Sequence, residues 1–142
     1  MQVDPSWEKL PGTEAGAYYR IAPDVILAVP KSGYVQDEQA AAKSLEVFDA
    51  IAHARGRKQS IIVLVDRVGS QDTGARRVWA RNRKEETRSA QALVCSTLLG
   101  RAIGSFFLGL NKAAIPTKMF ASLEEARDWA QAMANEDAEA TG

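Results

Sequence analysis

The feature that most constrains the fold is the segment 61–65, five consecutive aliphatic residues of which four are β-branched. Such a run has no polar face, which is typical of a central strand that is covered on both sides. The run is short and is followed by Gly69 and Gly74, which favours a strand over a buried helix. Recognition in open α/β sheets concentrates beyond the carboxyl ends of the central strands, so we expect residues 66–74 to lie at the functional edge of the sheet.

Strand-like and helix-like segments alternate along most of the chain. The strand-like segments 17–21 and 25–29 are separated by a short turn, which allows only an antiparallel hairpin. Beyond the hairpin, the pattern predicts helices at 36–55, 73–87, 98–110 and from Ser122, and strands at 61–65, 90–96 and 117–120. The order β-β-α-β-α-β-α-β-α predicts one α/β domain with a mostly parallel sheet of about five strands and helices packed on it. The hairpin contributes one antiparallel strand.

The predicted domain covers residues 17–134. Residues 1–16 lack periodicity and contain two prolines, which indicates an N-terminal arm that is either anchored to a surface by Trp7 or disordered. Residues 135–142 offer no apolar anchor and predict an acidic C-terminal tail. Ser122 and Glu125 have the spacing of a capping box and mark the start of the last helix.

The chain carries 18 basic and 18 acidic side chains, and the two signs are unevenly distributed. Residues 67–88 carry a net charge of +4, whereas residues 122–142 carry a net charge of −5. The basic stretch also contains acidic residues at helical spacing and one aromatic residue, which favours a solvated helix face over a nucleic-acid interface. Nucleic acid is therefore not expected as a partner.

Cysteine usage and hydropathy predict a soluble cytoplasmic protein. Cys95 is the single cysteine, so no intramolecular disulfide can form, which fits a reducing compartment. The amino terminus lacks the apolar core of a signal peptide. The longest apolar segment, 98–110, is too short to span a bilayer.

The residue types that usually carry catalysis are sparse. His53 is the only histidine and is predicted in the last turn of a helix, where a cation is explained by the helix dipole. Cys95 lies in a predicted strand and is expected to be an inert buried thiol. No metal-ligand spacing and no phosphate-loop or hydrolase motif occurs. The sequence therefore predicts neither an enzyme nor a bound metal or cofactor.

The closing segment 116–130 reads Pro-Thr-Lys-Met-Phe-Ala-Ser-Leu-Glu-Glu-Ala-Arg-Asp-Trp-Ala. It is similar to the ending common in the SpoIIAA-like group of the STAS-like family, the bacterial anti-sigma-factor antagonists and their relatives. Together with the element order, it makes residues 18–134 resemble a STAS-like domain. The resemblance implies that fold and a regulatory module that binds another protein.

Antagonists of this family carry an Asp-Ser-Ser/Thr-Gly motif after the central strand, and a partner kinase phosphorylates one of its hydroxyls. The nearest match here is Asp72-Thr73-Gly74, which has one hydroxyl rather than two and follows a longer loop. The resemblance thus implies a phosphoacceptor and regulatory loop formed by Asp66, Ser70, Asp72, Thr73, Arg76 and Arg77. A phosphate on Thr73 would meet the free N–H groups of a helix start and the two arginines one turn on. A helix cap formed by Asp72 or Thr73 explains the same pattern without a switch.

The predicted helix 98–110 carries more apolar side chains than one helical stripe needs. The candidate interface or ligand-facing residues on it are Leu98, Gly100, Gly104, Phe107 and Leu108. A second subunit, a small apolar or lipid-like ligand, or complete burial in the fold would each account for the excess. We expect a symmetric homodimer, and the binding of a small apolar or lipid-like ligand is the alternative function.

Overall fold

The computed structural model of the chain describes residues 3–33, 35–67, 70–71, 87–98, 101–102 and 115–141. Within them the strands are β1 (Glu8–Thr13), β2 (Gly16–Ala22), β3 (Val25–Pro30), β4 (Val35–Gln36), β5 (Gln59–Leu64), β6 (Ser70–Gln71), β7 (Arg88–Val94) and β8 (Thr117–Phe120). The helices are α1 (Glu38–Arg55) and α2 (Leu123–Thr141), and a 3₁₀ turn, Val65–Arg67, follows β5.

In the described part of the chain, six strands form one mixed sheet in the order β1-β2-β3-β5-β7-β8. The neighbours β3, β5, β7 and β8 run parallel, whereas β2 pairs antiparallel with both β1 and β3. The predicted α/β class, the hairpin and the parallel remainder are confirmed. The predicted count was wrong, because the sheet has six strands and two antiparallel pairings, and β4 pairs with β6 separately.

The aliphatic run lies at the centre of the sheet, as predicted. β5 lies between β3 and β7, and Ile61 and Ile62 are 2% and 0% exposed. Ile62 belongs to the apolar cluster that includes Ala126 of α2, whereas Ile61 belongs to the cluster that includes Phe48 of α1. Helices cover both faces of the strand, which explains why it has no polar face.

Both helices begin directly after a residue whose side chain caps them. The Asp37 side chain accepts a hydrogen bond of 2.8 Å from the N–H of Ala40, so α1 starts at Glu38, two residues later than the predicted residue 36. Gly56 ends α1 in the left-handed region with φ 73°, a conformation that favours glycine. The Ser122 hydroxyl accepts from the N–H of Glu125 at 3.3 Å, which confirms the predicted start of α2.

The segment predicted as an N-terminal arm contains β1, so that prediction was wrong for residues 8–13. Pro11 weakened the strand signal, but proline is tolerated on an edge strand such as β1, where the outward N–H need not pair. Leu10 is the one buried residue of β1 and packs in the same cluster as Tyr18. Trp7 packs on Tyr19 with 6.2 Å between ring centroids, as its predicted role as an anchor requires.

The segment predicted as an acidic tail is helical, because α2 continues to Thr141. Ala134 is 2% exposed and Ala138 is half-buried, so small side chains attach the end of this helix to the domain. Alanine contributes little hydropathy, which is why the sequence pattern did not reveal this attachment.

The two remaining predicted helices fall mainly outside the described residues. Residues 73–86 of the predicted helix 73–87 are not among them. In the predicted helix 98–110, Leu98, Arg101 and Ala102 are helical, and its other residues lie outside the described part.

Candidate functional site

Two parallel strands end side by side at the carboxyl edge of the sheet. β5 and β7 are in register with Leu64 opposite Val94. Asp66 and Ser96 each lie two residues beyond this pair, and Thr97 follows Ser96. All three side chains are exposed. The topology therefore brings one carboxylate and two hydroxyls to one point on the surface.

The Asp66 carboxylate accepts hydrogen bonds from both hydroxyl residues. Oδ2 accepts from the N–H of Ser96 at 2.9 Å and from the Ser96 hydroxyl. Oδ1 accepts from the Thr97 hydroxyl at 3.0 Å and from the Thr97 N–H at 3.4 Å. One carboxylate thus joins the end of β5 to the end of β7. We call Asp66, Ser96 and Thr97 the Asp66 clamp.

The charge state of the clamp follows from these contacts. Burial acts to raise the pKa of Asp66, but the hydrogen bonds from Ser96 and Thr97 outweigh it and hold the pKa below its ordinary value. The carboxylate is therefore ionised near neutral pH, and its oxygens are already engaged, which makes it a poor general base.

The adjacent thiol is also unsuited to catalysis. Cys95 is buried, as predicted. Burial raises the pKa of its thiol, the Asp66 charge raises it further, and Arg101 acts in the opposite direction. A protonated, buried thiol is a weak nucleophile. The clamp and its neighbour are suited to positioning rather than to bond-breaking chemistry.

The clamp also holds the start of a helical segment. The N–H of Arg101 donates to the carbonyl of Thr97 at 2.9 Å, which is the hydrogen bond expected if Thr97 is the N-cap. Leu98 follows Thr97 and is 88% exposed, compared with 43% for Val3, the other exposed large hydrophobic residue in the described part of the chain. An apolar side chain therefore projects into solvent beside the clamp.

A short pair of strands also joins two chain segments at the carboxyl edge of the sheet. β4 follows β3 and β6 follows the 3₁₀ turn after β5, and the two pair in parallel with Val35 opposite Ser70 and Gln36 opposite Gln71. The backbone of Ser70 is thereby fixed beyond the carboxyl ends of the parallel strands, on the side of the sheet edge where the clamp lies.

The predicted site residues divide into two groups. Asp66, Ser70 and Leu98 lie at the carboxyl edge. The others lie outside the described residues: Asp72, Thr73, Arg76 and Arg77 in the loop, and Gly100, Gly104, Phe107 and Leu108 in the apolar segment. His53 lies in the last turn of α1 and is exposed, as its position predicted.

Ser96 and Thr97 are not among the site residues that the sequence predicted. A usable signal was present, because Ser96 ends the predicted strand 90–96 and Thr97 follows it, and this strand neighbours β5 in the sheet. Carboxyl ends of adjacent parallel strands meet, so an aspartate after one strand and hydroxyls after the next predict a contact.

A second aspartate organises the opposite, amino edge of the sheet. Asp24 lies in the turn between β2 and β3 and is 1% exposed. Its Oδ1 accepts from Arg55 Nε at 2.9 Å and from Gln59 Nε2 at 3.1 Å. Its Oδ2 lies 3.0 Å from Arg57 Nη2 and accepts from Gln131 Nε2 at 3.3 Å. We call these five residues the Asp24 cluster.

The backbone of Asp24 is held as firmly as its side chain. Its N–H donates to Gln131 Oε1 at 2.9 Å, and its carbonyl accepts from the N–H of Ser60 at 2.9 Å. Burial acts to raise the pKa of Asp24, but the hydrogen bonds from Arg55, Gln131 and Gln59 and the charge of Arg57 outweigh it and lower the pKa. The cluster joins α1, α2 and the sheet through one ionised side chain.

In the residues that the structure describes, no group of three or more His, Cys, Asp or Glu side chains is arranged to hold a metal ion. No helix in that part of the chain is long and apolar enough to cross a membrane.

Structural comparison identifies the class of the domain. An uncharacterized protein from the DUF3478 family with a SpoIIAA-like fold, from Shewanella loihica PV-4, is similar over 92% of this chain and 99% of its own, with 8% sequence identity and a TM-score of 0.51. The fold is therefore SpoIIAA-like, as the closing segment predicted. The chain belongs to the family described as Domain of unknown function (DUF7793), whose model matches residues 19–134. No match was found among curated proteins.

Proposed function

We propose that the chain is a non-enzymatic cytoplasmic regulatory module of the STAS-like type, which binds another protein through the carboxyl edge of its sheet. The Asp66 clamp is the observation that carries this proposal. It is exposed, it is held by charge-assisted hydrogen bonds from two residues, and it lies where open α/β sheets bind their ligands. Its engaged carboxylate supports recognition rather than catalysis.

The proposed switch is phosphorylation in the loop after β5, at Ser70 or Thr73. The clamp and the β4–β6 pair would hold the start of this loop in place. A phosphate further along the loop would then change the surface of the loop without moving its start. A phosphate adds negative charge close in sequence to Arg76 and Arg77, which can pair with it. A partner that prefers one charge state of the loop would then bind or dissociate.

The proposed apolar contact begins at Leu98. A leucine exposed to this degree beside a rigid clamp supports contact with another apolar surface, and a second copy of the chain is the proposed occupant. A small apolar or lipid-like ligand would use the same side chain and is the alternative.

We expect Thr73→Glu, which mimics a phosphate charge, to change the capture of the partner from a lysate of the source organism by about fivefold or more. The measurement is quantitative mass spectrometry of proteins retained by immobilised wild-type and variant chains. Ser6→Glu, which adds the same charge in the exposed amino-terminal turn, is the matched control and should leave capture unchanged. Identical partner sets for wild type and Thr73→Glu would contradict the switch.

We expect Leu98→Glu to weaken self-association about tenfold or more, because the burial of one leucine contributes about 1.5–3 kcal/mol. Sedimentation velocity over a concentration series measures this. Val3→Glu makes the same change at the other exposed hydrophobic residue and should leave self-association intact. A wild-type chain that remains monomeric throughout the series excludes the homodimer, and a co-purified ligand in native mass spectrometry would then favour the alternative.

A further inference from the structure

We propose that a cleft between the end of α1 and the end of α2 binds a small organic anion, a carboxylate or a phosphate monoester that carries an apolar group. The cleft lies at the amino edge of the sheet, where Gly56 and Lys58 precede β5 and Thr87 precedes β7. It is on the opposite edge from the Asp66 clamp. A ligand site here would be separate from the regulatory function proposed above, and its test does not depend on that function.

The cleft has the size of a small-molecule site. Its volume is about 620 Å³, within the range of about 300–1,000 Å³ that is typical of ligand pockets. Alanines form its apolar part: Ala52 at the end of α1, and Ala134 and Ala138 on α2. Ala52 and Ala134 are 4% and 2% exposed. Because these side chains end at Cβ, they leave room for the apolar group of a ligand.

The cations on the rim select an anion. Lys58 is half-buried, and its ammonium group has no hydrogen-bond or ion-pair partner within the described ranges of the chain. A cation without an ion-pair partner gains from a bound anion. His53 lies on the same rim and adds an imidazole that can donate a hydrogen bond.

Arg57 is placed for binding by the Asp24 cluster. Its Nη2 lies 3.0 Å from the buried Asp24 carboxylate, and its side chain is 42% exposed and lines the cleft. A guanidinium has five N–H donors, so this contact leaves donors that can face the cleft. The buried aspartate thus holds a cation in place before a ligand arrives, which lowers the ordering cost of binding.

Groups that would repel an anion are largely neutralised. The carbonyls of Ala52 and His53 at the end of α1 accept from the N–H of Gly56 at 2.9 and 3.2 Å, so they are not unpaired acceptors. Thr87 donates its hydroxyl to Asp49. Asp137 is the one acid among the described lining residues, against the two cations Arg57 and Lys58. The balance favours a compact head group of low charge.

Titrations followed by amide NMR test the proposal on the full chain. The probes are benzoate and phenyl phosphate, with inorganic phosphate as the head group alone and benzyl alcohol as the uncharged analogue. We expect saturable shifts at amides of residues 52–58 and 134–138 with benzoate, phenyl phosphate or both. Benzyl alcohol should bind about tenfold more weakly or not at all, because it lacks the charge.

Two variants and one control locate the contact. Lys58→Gln removes the unpaired charge and should lower the affinity for the anions about tenfold. This is the effect expected from the loss of one charge-assisted hydrogen bond. Ala138→Leu fills the apolar part of the cleft and should lower the affinity for the aromatic anions. Lys43→Gln makes the same charge change on an exposed part of α1 away from the cleft and should leave affinity unchanged.

Binding of phenyl phosphate alone or of benzoate alone supports the site and identifies its head group. The proposal is overturned if no probe gives saturable shifts, if benzyl alcohol binds as tightly as the anions, or if Lys58→Gln and Lys43→Gln bind alike. Amide spectra that remain unchanged away from the cleft show that Lys58→Gln is folded. Should Lys58→Gln not fold, the comparison of Ala138→Leu with wild type decides.

Discussion

The two edges of the sheet are each organised by one aspartate, but the two aspartates lie in opposite environments. Asp24 at the amino edge is 1% exposed and holds two guanidinium groups and two amides. Asp66 at the carboxyl edge is exposed and, among the residues that the structure describes, accepts only from hydroxyl and backbone groups of Ser96 and Thr97. The same side chain joins two helices to the sheet where it is buried with cations, and joins two strand ends where it faces solvent.

The two environments differ because a carboxylate without protein partners costs more free energy when it is buried than when it is exposed. A buried carboxylate must be paired, since leaving it unpaired costs several kcal/mol, and this requires partners from distant parts of the chain. An exposed carboxylate has water as an alternative partner, so its contacts contribute modestly to stability. Binding surfaces can therefore be built around Asp66 at low cost to the fold.

The largest effect is expected from Asp24→Ala. This change removes the carboxylate that accepts from the fully buried Gln59 amide and from two guanidiniums, and should lower the free energy of unfolding by about 3 kcal/mol. Urea unfolding followed by circular dichroism measures it. Asp128→Ala, at a side chain that is 80% exposed, should stay within about 0.5 kcal/mol of wild type. Equal losses in the two variants would remove the contrast between buried and exposed acids.

Lowering the pH should reduce the difference in the free energy of unfolding between Asp24→Ala and wild type. The pKa of Asp24 is lowered from its ordinary value of 3.8 in the folded chain, so its stabilisation is present above that value. It is lost as pH falls through the lower, folded pKa, where the carboxylate becomes protonated. Urea unfolding from neutral pH down to about pH 2 should therefore show the two proteins converging at the acid end. A difference that does not change with pH would show that Asp24 stabilises the fold through its shape rather than its charge.

The smallest effect on stability is expected from Asp66→Asn. The amide keeps one oxygen acceptor but loses the charge that strengthens the clamp, which should cost about 1 kcal/mol. Amide hydrogen exchange at Ser96 should accelerate with the same change, because its N–H donates to Asp66 Oδ2. Asp128→Asn controls for the chemistry of the substitution. A loss as large as that of Asp24→Ala would mean that Asp66 is a structural residue.

The fold could be predicted where a few neighbouring residues determine the position of a strand or the end of a helix. The aliphatic run at Ile61 and Ile62 and the capping serine at Ser122 each act locally, and each prediction is confirmed. β1 could not be predicted because Leu10 is its single buried residue, so its existence depends on pairing with β2 rather than on its own pattern.

The site could be predicted only in part, for the same reason. The position of Asp66 follows from the strand before it, whereas its partners follow from the order of strands in the sheet. The Asp24 cluster was beyond sequence reasoning, because Arg55, Gln59 and Gln131 are 31, 35 and 107 positions away from Asp24. No local pattern marks contacts of that separation.

The backbone hydrogen bond from Asp24 to Gln131 has a consequence for folding kinetics. It closes a loop of 107 residues, so it can form only after α2 has docked on the sheet. The amide of Asp24 sits in a hairpin turn, where amides normally exchange with solvent through local fluctuations. Here it is expected to exchange only when α2 detaches, and its exchange rate thus reports the opening of the whole domain rather than the fraying of a turn.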